Sequence, residues 1–335
     1  MISFYSYVTY NNQPISPSNN PAHHLLINQS RSIPSLNRSH SSISPNQRQY
    51  SSRSPPSRLF HCPEITMPEG PEIYISSLIL NHNIRGHHIT SIEGDWSNDL
   101  NISGQKINSI HSVGKKMVIT LDTHALIISF GLTGLFRLYH PGVTSTPDRN
   151  VHLIISLSSG LILKYYDQLK FGSIKLIPSS NIAQSVSNIG IDLMRVTSLS
   201  EVDINSLVSR ARRCKTKDIA DFISDQKYIA GVGNYVRSDA LYLARVHPNT
   251  LAKDVSYETL RLIIGKCIEV MRSSASVLGS SGYELCVPSG ENKNGGYNHL
   301  IYKKRQTPCG RLTQQTQTSD GRNTWFCPDL QQLSR

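Results

Sequence analysis

Met67-Pro68-Glu69-Gly70-Pro71-Glu72 is the stretch on which the reading of this 335-residue chain turns. Taken alone, two prolines and a glycine so close together suit an acidic bend. A second reading starts the functional polypeptide at Met67 and removes the methionine, leaving Pro68 with a free secondary amine beside Glu69. The reference pKa of an α-amino group is about 7.7–8.0, so near neutral pH part of it is unprotonated. Such an amine attacks an electrophilic sugar carbon and leaves an iminium ion, a form of covalent catalysis. The rest of the chain decides between bend and nucleophile.

Upstream, residues 1–66 are rich in Ser, Asn and Pro, with five arginines, no lysine and Glu64 as the one acid. This composition cannot bury a core, and 1–67 reads as a disordered leader. A Ser- and Arg-rich, acid-poor leader also fits an organelle transit peptide, although its prolines oppose the usual amphipathic helix. A mis-assigned translation start is the third reading.

Downstream, apolar spacing suggests a helix over 73–84. Short alternating runs follow at 88–92, 105–113, 117–122, 125–130, 134–139, 151–157, 161–166 and 173–178 and read as a β-sandwich or barrel. Helical patterns then cover 199–211, 216–224, 234–245 and 257–278. Residues 279–298 are Gly-, Ser- and Asn-rich and read as a mobile loop, and 300–304 with 324–326 read as two strands around a polar turn. The expected fold is α+β. A β-sandwich takes 68–190, a helical domain 191–297 and a β-hairpin 298–335.

Lysine and arginine outnumber Asp and Glu by 34 to 23, which favours a polyanionic partner. No apolar run approaches the roughly 18 residues of a membrane span. Six cysteines without a Cys-x-x-Cys pair suggest reduced thiols inside a cell. Val113-Gly114-Lys115-Lys116-Met117 places lysines at a strand entrance, and Asp167-Gln168-Leu169-Lys170-Phe171-Gly172 presents a base and an aromatic on a turn. Arg210, Arg212, Arg213, Lys215 and Lys217 form a basic cluster. In Gly231-Val232-Gly233-Asn234-Tyr235-Val236-Arg237, Asn234 is a candidate N-cap and its helix start an anion site. A dinucleotide fingerprint is rejected there, because the third glycine is missing and a helix rather than a strand precedes it. Cys309 and Cys327 stand where a zinc ribbon would hold metal, but Leu312 and Leu330 occupy the companion positions. Structural zinc needs four N or S ligands, so no metal is expected.

These pieces, in this order, resemble the formamidopyrimidine-DNA glycosylase and endonuclease VIII family over about 67–332. The start at Met67 resembles the endonuclease VIII spelling of the mature N-terminus. Ser129-Phe130-Gly131-Leu132-Thr133-Gly134 and 167–172 resemble its duplex-invading loops, and 231–237 its helix-two-turn-helix signature. Asp320-Gly321-Arg322-Asn323-Thr324-Trp325 resembles the hairpin of its zincless branch. The resemblance implies a bifunctional DNA glycosylase and apurinic/apyrimidinic lyase of base-excision repair. Pro68 is then the nucleophile, Glu69 the acid that opens the sugar ring, and Glu72 a second carboxylate ordering the site. Lys115 contacts the lesion's phosphate, and Arg322 grips phosphate and acts as the late-elimination acid. Arg149, Lys170, Lys215, Lys217 and Asn234 are expected on the DNA. Leu132, Leu169 and Phe171 are expected to fill the hole left by the flipped nucleotide. Leu169 stands where many relatives carry an arginine that bonds the widowed base, which puts opposite-base discrimination in doubt.

No cofactor is implied. The implied partner is damaged double-stranded DNA, with single-stranded DNA a second substrate, engaged by a monomer inside a cell, in the nucleus or mitochondrion if the source is eukaryotic, and not at a membrane. Two rivals stand beside this reading. One is a catalytically silent damage binder whose leader keeps Pro68 in a peptide bond. The other is a nucleic-acid scaffold sharing only the helix-two-turn-helix, against which the strands carrying Lys115 and Phe171 count.

Overall fold

The computed structural model describes residues 68–142, 149–196, 199–280 and 297–333, all within one compact unit, Phe60–Arg335. The expected leader therefore lies outside the described residues, as does most of the loop expected at 279–298.

Helix α1 (Gly70–Ile84) starts immediately after Glu69, whose N–H donates to Glu72 Oε2 at 2.9 Å. Pro71 sits in the first turn, where a missing N–H breaks no helical bond. Eight strands follow: β1 (Ile89–Glu93), β2 (Ser109–Val113), β3 (Lys116–Thr120), β4 (His124–Ser129), β5 (Leu135–Tyr139), β6 (Val151–Leu157), β7 (Ile162–Tyr166) and β8 (Ser173–Pro178). They make two four-stranded antiparallel sheets, ordered β1-β6-β7-β5 and β2-β3-β4-β8. Their facing apolar residues, among them Met117, Ile128, Phe136 and Leu153, pack with Ile73, Leu80 and Ile84 of α1 into one core. The Asn81 side chain accepts the Ile110 N–H at 2.8 Å and fastens α1 to β2.

A short α2 (Ile182–Val186) leads to β9 (Ile191–Asp192), which pairs in parallel with β10 (Ile229–Ala230). Between these lie α3 (Glu201–Arg213) and α4 (Ile219–Ser224); beyond them come α5 (Asn234–Ala244) and α6 (Tyr257–Ser280). Ser200 caps α3 by accepting the Asp203 N–H at 3.1 Å. A second core, including Leu207, Phe222, Val236, Leu241, Ile264 and Val270, joins these helices. Strands β11 (Gln314–Gln317) and β12 (Asn323–Phe326) close the chain as an antiparallel hairpin. Among the described residues no helix is long and apolar enough to cross a membrane.

The hairpin corrects one expectation. The partner of β12 is the all-polar β11, and 300–304 is a bent segment rather than a strand. Its backbone N–H groups at Leu300, Ile301 and Tyr302 donate to the buried carboxylate of Asp239 on α5, which takes the place of a strand neighbour.

Candidate active site

Glu69 is 2% exposed and its side chain reaches across to the start of α5. Its Oε1 accepts the Tyr235 N–H at 2.9 Å and its Oε2 the Val236 N–H at 3.3 Å. A carboxylate on free N–H groups at a helix N-terminus is the favourable sense of the helix dipole. Burial nevertheless dominates: it pushes the Glu69 pKa from 4.5 to about 7, with Glu72 adding and Lys115 and the two N–H bonds opposing. Burial also raises Glu72. The Tyr235 hydroxyl lies 3.0 Å from Glu72 Oε1 and 3.0 Å from Ser274 Oγ on α6.

Lys115 stands at the β2–β3 turn, and Gly233 makes room for it. A Cβ at Gly233 would lie 2.4 Å from both Glu69 Oε1 and Lys115 Nζ, so only glycine fits between acid and base. Burial depresses the Lys115 pKa, Glu69 opposes this, and the nearby Arg322 adds to it. Pro68 is half-buried at the head of α1 and lines a cavity of about 280 Å³ with Lys115, Lys116, Ser129, Phe130 and Gly131. The structure thus brings Pro68, Glu69, Glu72 and Lys115 to one place.

Asn234 is the first residue of α5, with Gly233 as the N-cap, so it is helical rather than capping. It is half-exposed. Arg322 is exposed on the β11–β12 turn, and its guanidinium pairs with Asp320 two residues away. Its charge is felt by both Lys115 and Arg237. Arg237, fully buried on α5, pairs with Asp221 at 3.3 Å and donates to the Asn323 carbonyl at 3.3 Å. Sequence reasoning missed Tyr235, Arg237, Asp221 and Ser274. The first two lie within the stretch 231–237 that drew attention to Asn234; Asp221 and Ser274 carry no local signal.

Leu132, Leu169 and Phe171 are 38%, 43% and 65% exposed, apolar tips on adjoining loops. Arg149, Lys170 and Lys215 are exposed. Lys170 is 3.7 Å from Asp95, an open pair that constrains it little. Lys217 is half-exposed, and its Nζ pairs with Asp225 at 2.7 Å. At the hairpin the donor set does not fit zinc. Cys309 is exposed and Cys327 buried, while Leu312 and Leu330 offer no lone pair.

Comparison with known proteins gives a consistent result. The model of the formamidopyrimidine-DNA glycosylase N-terminal domain matches 67–174, and that of the formamidopyrimidine-DNA glycosylase H2TH domain matches 196–284. The formamidopyrimidine-DNA glycosylase of Bacillus subtilis is 26% identical over 282 residues, covering 79% of this chain and 99% of its own. That of Legionella pneumophila is 25% identical over 280 residues, covering 80% and 99%. The Lactococcus lactis protein bound to DNA containing an abasic site superposes with a TM-score of 0.67 at 25% identity, over 79% of this chain and 99% of that one. Its complex with DNA containing N7-benzyl-Fapy-dG gives 0.68 at 25% identity. With a sandwich, a helical domain and a closing hairpin, and with family models that match 67–174 and 196–284 in that order, the chain belongs to the formamidopyrimidine-DNA glycosylase family.

Proposed function

We propose that this protein is a bifunctional DNA glycosylase and apurinic/apyrimidinic lyase that removes oxidised bases through a Schiff base at Pro68. The reading rests above all on Pro68, which lines a cavity with Lys115 beside a carboxyl poised to hold or release a proton near neutral pH. A base within a duplex shields its sugar C1′, so the nucleotide is first flipped out, at a few kcal/mol. The Pro68 amine attacks C1′, the base departs, and Glu69 in its acid form protonates the opening ring oxygen. The resulting iminium acidifies C2′, so the 3′ phosphate leaves by β-elimination and the 5′ phosphate by δ-elimination. Lys115 and Arg322 hold the flanking phosphates, contacts that fix register without reading sequence. The DNA complexes of the Lactococcus lactis relative support damaged duplex DNA as the partner. Pro68, Glu69, Glu72 and Lys115 all come from one chain, which supports a monomer. The opening Pro68-Glu69-Gly70-Pro71-Glu72 and the two leucines at the hairpin support an endonuclease VIII-like, zincless member.

The 67 residues ahead of Pro68 favour a second reading, a damage binder whose amine stays in a peptide bond. Borohydride reduction on abasic DNA separates the two. A polypeptide begun at Met67 should form a covalent adduct, and Pro68→Gly, which keeps an amine, should retain part of it. Equal trapping by an unprocessed full-length chain, or no trapping by either, overturns the proline mechanism.

A further inference from the structure

Two loops leave the sandwich side by side, and all three expected wedge residues sit on them. Residues 130–134 link β4 to β5 and carry Leu132; residues 167–172 link β7 to β8 and carry Leu169 and Phe171. These tips are apolar and exposed, so packing does not fix them. Their backbones are fixed from below.

The carboxylate of Asp167, fully buried, lies between the loops. One oxygen accepts from the Thr133 hydroxyl across the gap, and the other accepts the Gly172 N–H at 2.7 Å, closing its own loop. The Thr133 oxygen in turn accepts the Leu169 N–H at 3.0 Å, so this one hydroxyl is donor to one residue and acceptor to another. The Asp167 carbonyl is 2.9 Å from Nε2 of the buried His152. Backbone contact completes the junction: Gly131 has φ +59°, and a Cβ there would lie 2.5 Å from the Phe171 carbonyl carbon. Leu132 is thus chain neighbour to the residue that holds Leu169, and Phe171 is chain neighbour to the glycine that Asp167 holds.

We propose that Thr133 and Asp167 are positioning residues that lock the two loops into one wedge, so that Leu132, Leu169 and Phe171 enter the duplex as a unit. The proposal rests on the damaged-duplex reading above and goes beyond it by assigning two residues that touch no DNA. A latch of this kind matters only where a base stack must be opened. It favours duplex over single-stranded substrate, because a single strand has no gap to fill.

The test uses the full chain and an oligonucleotide with a tetrahydrofuran abasic analogue, single-stranded or paired with 2-aminopurine opposite the analogue. The analogue has no aldehyde, so the readout is independent of the Pro68 amine; failed borohydride trapping would sink the lyase reading and leave this result standing. Wild type should bind the duplex more tightly than the single strand and raise 2-aminopurine fluorescence. Thr133→Val should lower the duplex-to-single-strand affinity ratio roughly tenfold, or about 1.4 kcal/mol, and diminish the fluorescence rise. Thr133→Ser, which keeps the hydroxyl, should restore both. Asp167→Asn supplies a second disruption of similar volume should the valine variant not fold. In a Phe171→Ala background Thr133→Val should change the ratio far less. An unchanged ratio in Thr133→Val, equal losses on both substrates, or a wild type that binds both alike overturns the proposal.

Discussion

Glu69 accepts two N–H bonds from the first turn of α5 and still holds its proton to about pH 7, because burial outweighs those bonds and the Lys115 charge. A carboxyl raised from 4.5 to about 7 on folding contributes stability that is fully present below about 4.5 and lost as pH rises through about 7. The acid form that the proposed ring opening requires disappears over the same upper range. We expect single-turnover base excision to fall as pH rises through about 7, and Glu69→Gln to abolish that limb while flattening the pH dependence of the melting temperature between about 4.5 and 7. Arg322 is a second test at this scale. Its guanidinium is exposed and pairs, among the described residues, with Asp320, a partner it can exchange for a phosphate. Arg322→Ala should bind lesion DNA more weakly with a salt slope reduced by about one unit, and Arg322→Lys should recover part of this. Unchanged salt dependence in the alanine variant would return Arg322 to a turn residue. Pro68, Glu69 and Lys115 stand out in short, ordered runs, and the structure brings them together; Arg322 was singled out only through the family resemblance. Ser274 was not: one of four serines on α6, directly beside Ser273, it announces nothing until folding brings it 3.0 Å from the Tyr235 hydroxyl.

Helix α5 and the β11–β12 hairpin are joined by buried charge. Asp221 on α4 pairs with Arg237 and also accepts from the Ser319 hydroxyl at 2.6 Å and the Asp320 N–H at 2.8 Å. One carboxylate therefore holds both the helix that caps onto Glu69 and the turn that presents Arg322. Asp221→Ala leaves the Arg237 charge buried without its carboxylate, which typically costs about 3–5 kcal/mol. Urea denaturation should show a loss of that size, with DNA affinity reduced as the Arg322 turn loosens; a loss below about 0.5 kcal/mol, the range of ordinary surface changes, would contradict it. At this scale the sequence was partly legible. The sandwich strands alternate clearly enough to be found, and β6 and β8 lie where periodicity puts them. Strand β11 reads Gln314-Gln315-Thr316-Gln317, has no buried face, and so shows no period to detect. The apolar 300–304 imitated a strand because its backbone is satisfied by Asp239, a partner some sixty residues away in sequence.

Across the whole molecule, the site exists only where the sandwich meets the helical domain. The Gly70 N–H donates to the Gly231 carbonyl at 2.9 Å, the Gly114 N–H to Asp192 at 2.9 Å, and Arg195 to the Ser112 carbonyl at 2.6 Å. These seams hold α1, the Lys115 turn and the start of α5 against one another. Sequence order predicted which pieces belong to the site, but the seams are long-range and leave no trace in local pattern. The closing hairpin holds together through Asp221 and its own ladder, and Leu312 and Leu330, at the companion positions of its two cysteines, donate nothing to a metal. Elemental analysis of purified protein should give well under one zinc per chain, and chelators should leave cleavage intact; stoichiometric zinc would contradict this. The central claim, that a secondary amine at Pro68 performs the chemistry, is tested most directly by tandem mass spectrometry of the borohydride-reduced adduct between abasic DNA and the chain begun at Met67. We expect the added sugar mass on the N-terminal peptide, at the Pro68 nitrogen. The same mass on the ε-amine of Lys115 or Lys116, or on no peptide at all, would contradict it.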